Sequence, residues 1–351
     1  MSVNPSEAAS LLRSVREPGA FARLARGNLE LWVNLVVITW AVVFAIWQGT
    51  GFAITLGTVF AIWAILAVSL NLVVGFTGLL SVGHIGFFGI GAYTVAILTS
   101  NAQYEQLRTE AIPTFGWPFF AALPVGIVLA GLTAIAVGTV FNRFRDDIFV
   151  LVSFGFTVIC FNVFLNSRGL TRGAFGIHEI AKPEVGGWSF GSEVAFLILA
   201  LVFLAIVVLI SWFIVSSSFG RVLTAIREDE RATEVFGYQV THYKLAVWVI
   251  SAMMAAAAGG LFASWTTFID PNSFILLESI LLVSIVILGG LATIWGSILG
   301  TMVFVLLEEG MRFLPFLPDE YVGQARQVIL GVLLVLLMLF RPQGLLGRYK
   351  L

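Results

Sequence analysis

The stretch VVGFTGLLSVGHIGFFGIGAYTVA, residues 73–96, is rich in glycine, contains His84 and carries no Asp, Glu, Lys or Arg. It lies in sequence that is otherwise strongly apolar. Glycine destabilises a helix by about 1 kcal/mol per position relative to alanine, and it lets two backbones approach closely. The stretch therefore predicts either a tight contact between helices or a break in a helix at membrane depth.

The composition around this stretch is that of a membrane protein. Hydrophobic residues make up 59% of the 351 residues and charged residues 11%, and the mean hydropathy is +1.00. Several apolar runs approach the ~20 residues that a helix needs to cross a bilayer. The predicted fold class is an all-α polytopic membrane protein. Apolar length and breaker positions predict about ten transmembrane helices, at roughly 31–48, 52–74, 83–100, 118–141, 147–166, 190–215, 244–265, 273–289, 293–310 and 322–340.

The third, eighth and ninth of these segments are short and flanked by glycine, so half-helices or re-entrant segments also fit them. Most of the 19 lysines and arginines fall on one side if the N-terminus is cytoplasmic, which predicts that both termini are inside. The predicted regions are a cytoplasmic N-terminal segment 1–30, a transmembrane domain 31–340 and a cytoplasmic tail 341–351. An amphipathic surface helix and a disordered tail both fit residues 1–30.

Groups for covalent chemistry are scarce in the sequence. Lys182, Lys244 and Lys350 follow Ala, Tyr and Tyr, whereas a P-loop needs glycine before its lysine. The three histidines lie on different segments, and Cys160 is the only cysteine. The sequence therefore predicts no catalytic residue, no metal site and no disulfide within the chain, and a membrane enzyme is the disfavoured class.

Glu278 is the one carboxylate predicted to lie well inside a span. A charge at the centre of a bilayer costs at least ~2.5–3.5 kcal/mol and is kept for a purpose. A stand-alone ion-coupled transporter that uses Glu278 is therefore the alternative from a different class. A carboxylate on a path or interface, and one paired with another residue, fit Glu278 equally well.

The stretch GRVLTAIREDERATEVFG, residues 220–237, predicts an amphipathic helix in an inner loop that spans residues 219–243. A rigid helix between two spans can be held by a motor subunit and transmit its motion, and a solvated loop that only sets topology is the other interpretation. The residues of interest combine charge with breaker positions. They are Gly220, Arg221, Arg227, Glu228, Asp229, Glu230, Arg231, Ala232 and Gly237.

Four motifs in this order resemble the permeases of branched-chain amino acid ABC importers, most closely the LivM subfamily. They are LNLVVGFTGLLSVGHIGFFGIGAY, GRVLTAIREDERATEVFG, DPNSFILLESILLVSIVILGGLATIWGSILG and RPQGLLG. The resemblance covers about 66–347, and it implies a permease domain over 31–340 in the lipid of the cytoplasmic (inner) membrane. The implied partners are a sister permease, two cytoplasmic ATPase subunits and an extracytoplasmic solute-binding protein. No cofactor is implied in this chain, since ATP and Mg would be bound by the ATPase subunits, and no nucleic acid is expected.

In such importers a cytoplasmic coupling helix docks on the ATPase, and the resemblance gives this role to the 219–243 segment, hereafter the coupling loop. The importer signature reads Glu-Ala-Ala, three residues, then Gly, whereas this chain has Arg231, Ala232 and Thr233 before Gly237. The signature glutamate is thus replaced, which leaves open which charge contacts the ATPase. Branched-chain or related amino acids are the implied substrates, and urea or short amides are the alternative.

A further set of residues is expected to line the path or to pack helices. A structural role at a helix break is favoured for His84, and Asn71 and Ser81 are expected to satisfy broken backbone. A second glycine-rich stretch at 289–300 predicts a re-entrant segment or close packing of small residues. The full set is Asn71, Gly78, Ser81, Gly83, His84, Gly86, Gly89, Glu278, Gly289, Gly290 and Gly296.

Overall fold

The computed structural model describes residues 49–100, 115–141 and 146–311, together with residues 328, 329, 331, 332, 335, 339 and 344–346. The predicted segment 1–30 and the predicted span 31–48 lie outside the described residues, as does most of the predicted span 322–340. The number of about ten spans therefore stays a prediction.

Helices account for nearly all of the regular structure in the described chain. They are α1 (Thr50–Thr77), α2 (His84–Thr99), α3 (Phe119–Phe141), α4 (Asp146–Asn166), α5 (Arg168–Thr171), α6 (Glu193–Ser216), α7 (Ser218–Glu228), α8 (Glu230–Val235), α9 (Val240–Thr266), α10 (Leu276–Gly289) and α11 (Ile294–Met311). Within the described residues, 5 helices are long and apolar enough to cross a membrane, namely α1, α3, α4, α6 and α9. The bent pair formed by α10 and α11 raises that number to 6 if it is one span. The helical membrane class is confirmed.

Helices α1 and α9 form the centre of the molecule. In their most apolar windows 83% of α1 and 67% of α9 are buried, against 33% for α3, α4 and α6. Helix α1 packs against α6, α9, α10 and α11, and α9 packs against α2 and α3. The outer helices expose large apolar side chains such as Leu132, Leu151 and Phe213, as expected of surfaces that face lipid or another subunit.

Helices α2 and α9 cross with their backbones in contact. A Cβ atom at Gly91 would lie 2.1 Å from the Ala256 carbonyl oxygen, and one at Gly259 would lie 1.9 Å from that of Phe88. No side chain fits in either position, so both glycines are required by the crossing. Neither glycine was among the predicted packing residues, although the small-residue run AAAAGG at 255–260 is typical of a close helix contact.

The segment between α4 and α6 contains short β-structure that the all-α prediction did not include. Strand β1 (Ile177–His178) pairs antiparallel with β4 (Phe268–Ile269), which follows α9. Strands β2 (Glu184–Val185) and β3 (Trp188–Ser189) form a hairpin.

The coupling loop contains two helices, and the prediction of one continuous helix over 220–237 is wrong. Asp229 lies between α7 and α8 in an extended conformation, with φ −154°. Its Oδ1 accepts the Ala232 N–H at 3.0 Å, so Asp229 acts as the N-cap of α8. Gly237 follows α8 with φ +89° and ends the helical part.

Candidate translocation core and coupling site

The first glycine-rich stretch contains a helix break, residues 78–83, hereafter the first break. Helix α1 ends at Thr77, and Gly78 takes the left-handed conformation with φ +78°. Side chains of α4 satisfy the backbone of the break. The Ser153 hydroxyl oxygen accepts the Val82 N–H at 3.1 Å, and the Thr157 hydroxyl donates to the Val82 carbonyl at 2.8 Å.

Ser81 and His84 lie at the end of this break. The Ser81 hydroxyl oxygen accepts the Gly83 N–H at 3.2 Å and lies 3.4 Å from His84 Nδ1. His84 Nε2 lies 2.5 Å from the Ser251 hydroxyl oxygen, and that hydroxyl donates to the Ser69 carbonyl. Because Ser251 donates onward, its oxygen accepts from Nε2–H, and this pattern assigns the tautomer of the imidazole.

His84 therefore connects α2 to α9 and, through Ser251, to α1. The imidazole is 1% exposed, and the Trp248 ring meets it edge-on with centroids 5.7 Å apart. The Ser251 hydroxyl lies between the imidazole and the Ser69 carbonyl. The arrangement supports a structural role for His84.

The glycines of α2 differ in how much room surrounds them. A Cβ at Gly86 would lie 2.8 Å from a Phe156 ring carbon, and one at Gly89 would lie 2.5 Å from a Phe164 ring carbon. Both positions therefore let α2 pack under aromatic rings of α4. Gly83 has only ordinary contacts of 3.4 Å around its Cβ position, so close packing does not require glycine there.

The second glycine-rich stretch contains another break, residues 290–293, hereafter the second break. The helix axis bends by 119° there, between α10 and α11, with φ +115° at Gly290 and +59° at Ala292. Asn71 of α1 satisfies the exposed backbone. Its Oδ1 accepts the Ala292 N–H at 3.1 Å, and its Nδ2 donates to the Thr293 carbonyl at 2.8 Å and to the Ser297 hydroxyl at 2.7 Å.

Helices α10 and α11 pack backbone to backbone beside the second break. A Cβ at Gly289 would lie 2.0 Å from the Gly296 carbonyl oxygen, and one at Gly300 would lie 2.3 Å from that of Ile285. The stretch is thus a helical hairpin and a small-residue contact at once. The close packing of small residues is confirmed, and the re-entrant segment stays a prediction, since a broken span fits the same bend.

The described part of the predicted tail, residues 344–346, docks on the same hairpin. Leu345 N–H donates to the Leu288 carbonyl at 3.0 Å, and Leu346 N–H donates to the Gly289 carbonyl at 2.9 Å. Gly344 has φ +74°, and a Cβ there would lie 2.6 Å from the Ile287 carbonyl oxygen. The tail therefore satisfies the last carbonyls of α10, which a helix end leaves without partners.

Gly75 of α1 lies between the two breaks. A Cβ there would lie 1.9 Å from Asn71 Oδ1 and 2.6 Å from the Ala292 nitrogen. On its other side, the Gly75 carbonyl accepts a hydrogen bond from Arg227 Nη1 of α7. Arg227 also covers the first break, since a Cβ at Gly78 would lie 3.1 Å from its Cγ. The coupling loop thus contacts the C-terminal end of α1, next to both breaks.

Further contacts fix the coupling loop to the helices. A Cβ at Gly220 would lie 2.4 Å from the Val215 carbonyl oxygen, so the turn into α7 requires glycine. Leu223 is fully buried. Lys244 Nζ forms a salt bridge of 2.6 Å with Glu230 Oε2, which joins α8 to α9.

The opposite face of the coupling loop is open. Val235 and Phe236 are 87% and 81% exposed and adjoin the exposed Gly237. The charged side chains around this apolar tip are exposed as well, and Ala232 is half-buried. The exposed charged residues named by the sequence analysis are Arg221, Glu228, Asp229 and Arg231.

Glu278 lies in the first turn of α10 and is half-buried. It lies near the start of this helix and not at its middle, and its depth in the membrane stays a prediction. Asp270 caps a separate turn, Pro271–Phe274, by accepting the Ser273 N–H at 3.2 Å, and this turn delays the start of α10 to Leu276. A carboxylate in a first turn is stabilised by the helix dipole, so its position has a structural explanation.

Nucleophile and metal chemistry receive little support. The run GWSFG, residues 187–191, has the GxSxG spacing, which the sequence analysis did not single out. Ser189 lies in β3, and its oxygen accepts the Gly191 N–H at 3.2 Å, whereas a nucleophile elbow joins a strand to a helix. Across residues 49–100, 115–141 and 146–311, no group of three or more His, Cys, Asp or Glu residues could hold a metal ion.

The described chain combines apolar helices with two helix breaks at one end of α1. The charged helices α7 and α8 of the coupling loop dock on that end. Together these features define the class of a transport permease. The comparisons with known proteins agree. Residues 52–338 match the family model described as branched-chain amino acid transport system, permease component. The chain belongs to this family.

Its curated relatives carry the same description. The chain is 34% identical over 340 residues to the high-affinity branched-chain amino acid transport system permease protein LivM of Escherichia coli K12, covering 90% of this chain and 74% of the relative. It is 36% identical over 312 residues to LivM of Salmonella typhimurium, covering 80% and 67%. The E. coli permease protein LivH is 27% identical over 298 residues, covering 81% and 91%. No solved structure matches the chain.

Proposed function

We propose that this chain is one of two permease subunits of an ATP-driven importer for branched-chain or related aliphatic amino acids. The relatives named LivM and LivH are both branched-chain amino acid permease proteins of E. coli, which supports a sister permease as the partner. The proposed complex further contains two cytoplasmic ATPase subunits that bind ATP and Mg, and an extracytoplasmic solute-binding protein.

The contact of Arg227 with Gly75 carries the coupling part of this proposal. It joins α7 directly to the backbone of α1 beside both breaks. The open face of the same loop presents Val235 and Phe236 amid charged side chains, a combination that suits a protein interface with an apolar centre and a polar rim. A motor subunit that moves this loop would therefore pull on the core of the permease.

The membrane arrangement is part of the proposal. We place the chain in the cytoplasmic membrane with about ten spans and both termini inside, because most lysines and arginines then fall on the cytoplasmic side. Reporter fusions at residue 30 and at the C-terminus test this arrangement. At both positions we expect activity from a reporter that works in the cytoplasm and none from a reporter that works in the periplasm. A periplasmic signal at either position would overturn the proposed arrangement.

The experiment that tests the function is uptake of labelled leucine by cells that express the complete complex. We expect uptake to require intact ATPase subunits, to compete with isoleucine and valine, and to be insensitive to excess urea. Competition by urea or acetamide alone would favour the amide alternative. Uptake that persists without the ATPases and is lost in Glu278→Gln would instead identify an ion-coupled transporter.

A further inference from the structure

A cavity of about 250 Å³ lies beside the N-terminal half of α1. Its α1 residues, such as Thr58, precede Gly75 by almost 20 positions, which corresponds to more than ~20 Å along a helix. The cavity is therefore remote from the coupling loop and lies on the side predicted to face away from the cytoplasm. Helices α6 and α9 and the segment 182–191 form its other walls.

The interior of the cavity contains an unused hydroxyl group. Ser264 is fully buried, and its Oγ has no hydrogen-bond partner among the described residues. Leaving a buried polar group unpaired costs about 1–3 kcal/mol. Thr58 is 1% exposed and donates to the Ile54 carbonyl at 2.9 Å, so its oxygen can still accept. The residues that line the cavity thus include one hydroxyl group without a partner and a second hydroxyl oxygen that can still accept a hydrogen bond.

Two opposite charges line the same cavity. Lys182 Nζ donates to the Gly191 carbonyl at 3.0 Å, which holds the ammonium group beside the opening. Glu193 occupies the first turn of α6. Neither side chain forms a salt bridge within the described part of the chain. A positive and a negative group that are not used on each other match the two charges of a zwitterion.

The remaining walls are apolar. Ile54, the buried Phe196 and the partly buried Trp265 complete the lining. Clefts for drug-sized ligands enclose ~300–1,000 Å³, so a cavity of about 250 Å³ suits a smaller solute. Charged groups at the opening and an apolar wall inside together fit a small aliphatic amino acid.

We propose that this cavity is an entry subsite that binds an α-amino acid with an aliphatic side chain as its zwitterion. Lys182 and the Ser264 hydroxyl bind the carboxylate, Glu193 binds the ammonium group, and Phe196 and Trp265 contact the side chain. The inference rests on the proposed function, because it assigns a place in this chain to the solute that the importer moves. The subsite would receive the solute before it enters the path.

The test uses Ser264→Cys in a Cys160→Ser chain, assembled with its sister permease and ATPases but without the solute-binding protein. A small thiol reagent labels the introduced thiol, and excess leucine is expected to slow labelling about tenfold, the factor that one charge-assisted contact provides. 4-Methylpentanoate, which lacks the ammonium group, and isopentylamine, which lacks the carboxylate, should not protect. An equal labelling rate with and without leucine would overturn the subsite, as would equal protection by all three compounds.

Matched charge variants locate the contacts. Protection by leucine should be lost in Lys182→Gln and in Glu193→Gln, and it should persist in Arg168→Gln and Glu184→Gln, which remove exposed charges from the same region outside the cavity. Protection that survives in both cavity variants would contradict the assignment.

Transport provides a second measurement in chains that keep Ser264. At saturating loaded solute-binding protein, Lys182→Gln and Glu193→Gln should lower maximal leucine uptake about tenfold, while binding of that protein to the complex is unchanged. A parallel loss of both would show that the charges contact the binding protein and would overturn the subsite. Absence of leucine uptake by the wild-type complex would overturn the proposed function alone, since labelling tests the subsite separately.

Discussion

The two helix breaks meet at the same end of α1, but different parts of the protein satisfy their backbones. The first break, 78–83, is completed by hydroxyl groups of α4 and is covered by Arg227 of the coupling loop. The second break, 290–293, is completed by Asn71 on one side and by the backbone of residues 345–346 on the other. Arg227, which lies against the first break, belongs to the loop that a motor subunit would move.

This difference suggests separate tasks for two similar sequences. Asn71 and the tail hold the second break and the residues beside it with five hydrogen bonds from two sides, four of them to backbone groups, so we interpret that break as a brace. The long side chain of Arg227 from the coupling loop covers the first break and donates to the Gly75 carbonyl of α1, so we interpret this break as the point where motion enters the core. Gly75 lies between the two and lets them approach.

The largest effect is expected where a side chain cannot be accommodated near the first break. Gly86→Leu should abolish leucine uptake and assembly, because even a Cβ would lie 2.8 Å from the Phe156 ring. Gly155→Leu is the matched control, since nothing lies within 4 Å of its Cβ position. Co-purification with the sister permease measures assembly, and normal transport by Gly86→Leu would contradict the packing described for α2.

The second break should be weakened strongly by Asn71→Leu. The substitution leaves the Ala292 N–H without its partner and removes the bonds to the Thr293 carbonyl and the Ser297 hydroxyl. We expect a loss of about 2–3 kcal/mol of stability, above the ~0.6 kcal/mol typical of one interhelical bond in a membrane. Asn162→Leu is the control, because Asn162 is exposed and donates to its own helix. Thermal denaturation of the purified complex measures the change, and equal melting temperatures for the two variants would argue against the brace.

A smaller loss is expected at the tail. Gly344→Ala places a Cβ 2.6 Å from the Ile287 carbonyl oxygen at a residue with φ +74°, and the left-handed conformation alone costs about 1–2 kcal/mol for a residue with a Cβ. The melting temperature should fall while the number of ATP molecules hydrolysed per imported leucine stays unchanged. Gly51→Ala, which has open space around its Cβ position, should not be destabilised. A changed ATP requirement in Gly344→Ala would assign the second break a moving role.

The smallest effect is expected from Glu230→Gln. The salt bridge with Lys244 is short, at 2.6 Å, and the Lys244 side chain is only 8% exposed, whereas that of Glu230 is 42% exposed. The glutamine amide oxygen can still accept from the ammonium group, so we expect a loss within the range of about 0.2–1 kcal/mol found for exposed pairs. Stability should fall by about 0.5 kcal/mol, and the difference from wild type should shrink as salt screens the pair. A loss that does not respond to salt would indicate that Glu230 acts through other contacts.

Local features of the sequence predicted much of this architecture. Apolar length gave most of the helices, glycine density marked both breaks, and the charged run at 220–237 indicated the coupling loop. Contacts between side chains and distant backbone could not be predicted from neighbouring residues. Asn71 and Ala292 are 221 positions apart, and no residue next to Ser251 in the sequence indicates that its hydroxyl has a partner in another helix. Two errors were local instead, since the caps at Asp229 and Asp270 both shift helix ends and both were visible as Asp residues before a turn.

The ratio of ATP hydrolysed to leucine imported in Arg227→Gln tests the central claim most directly. Losing the bond to Gly75 and the cover over the first break should raise this ratio about tenfold, the equivalent of one charge-assisted hydrogen bond, while the complex stays assembled. Arg221→Gln, an exposed charge on the same helix, should change hydrolysis and uptake together and leave the ratio as in wild type. A wild-type ratio in Arg227→Gln would contradict the claim that motion enters the core at the first break.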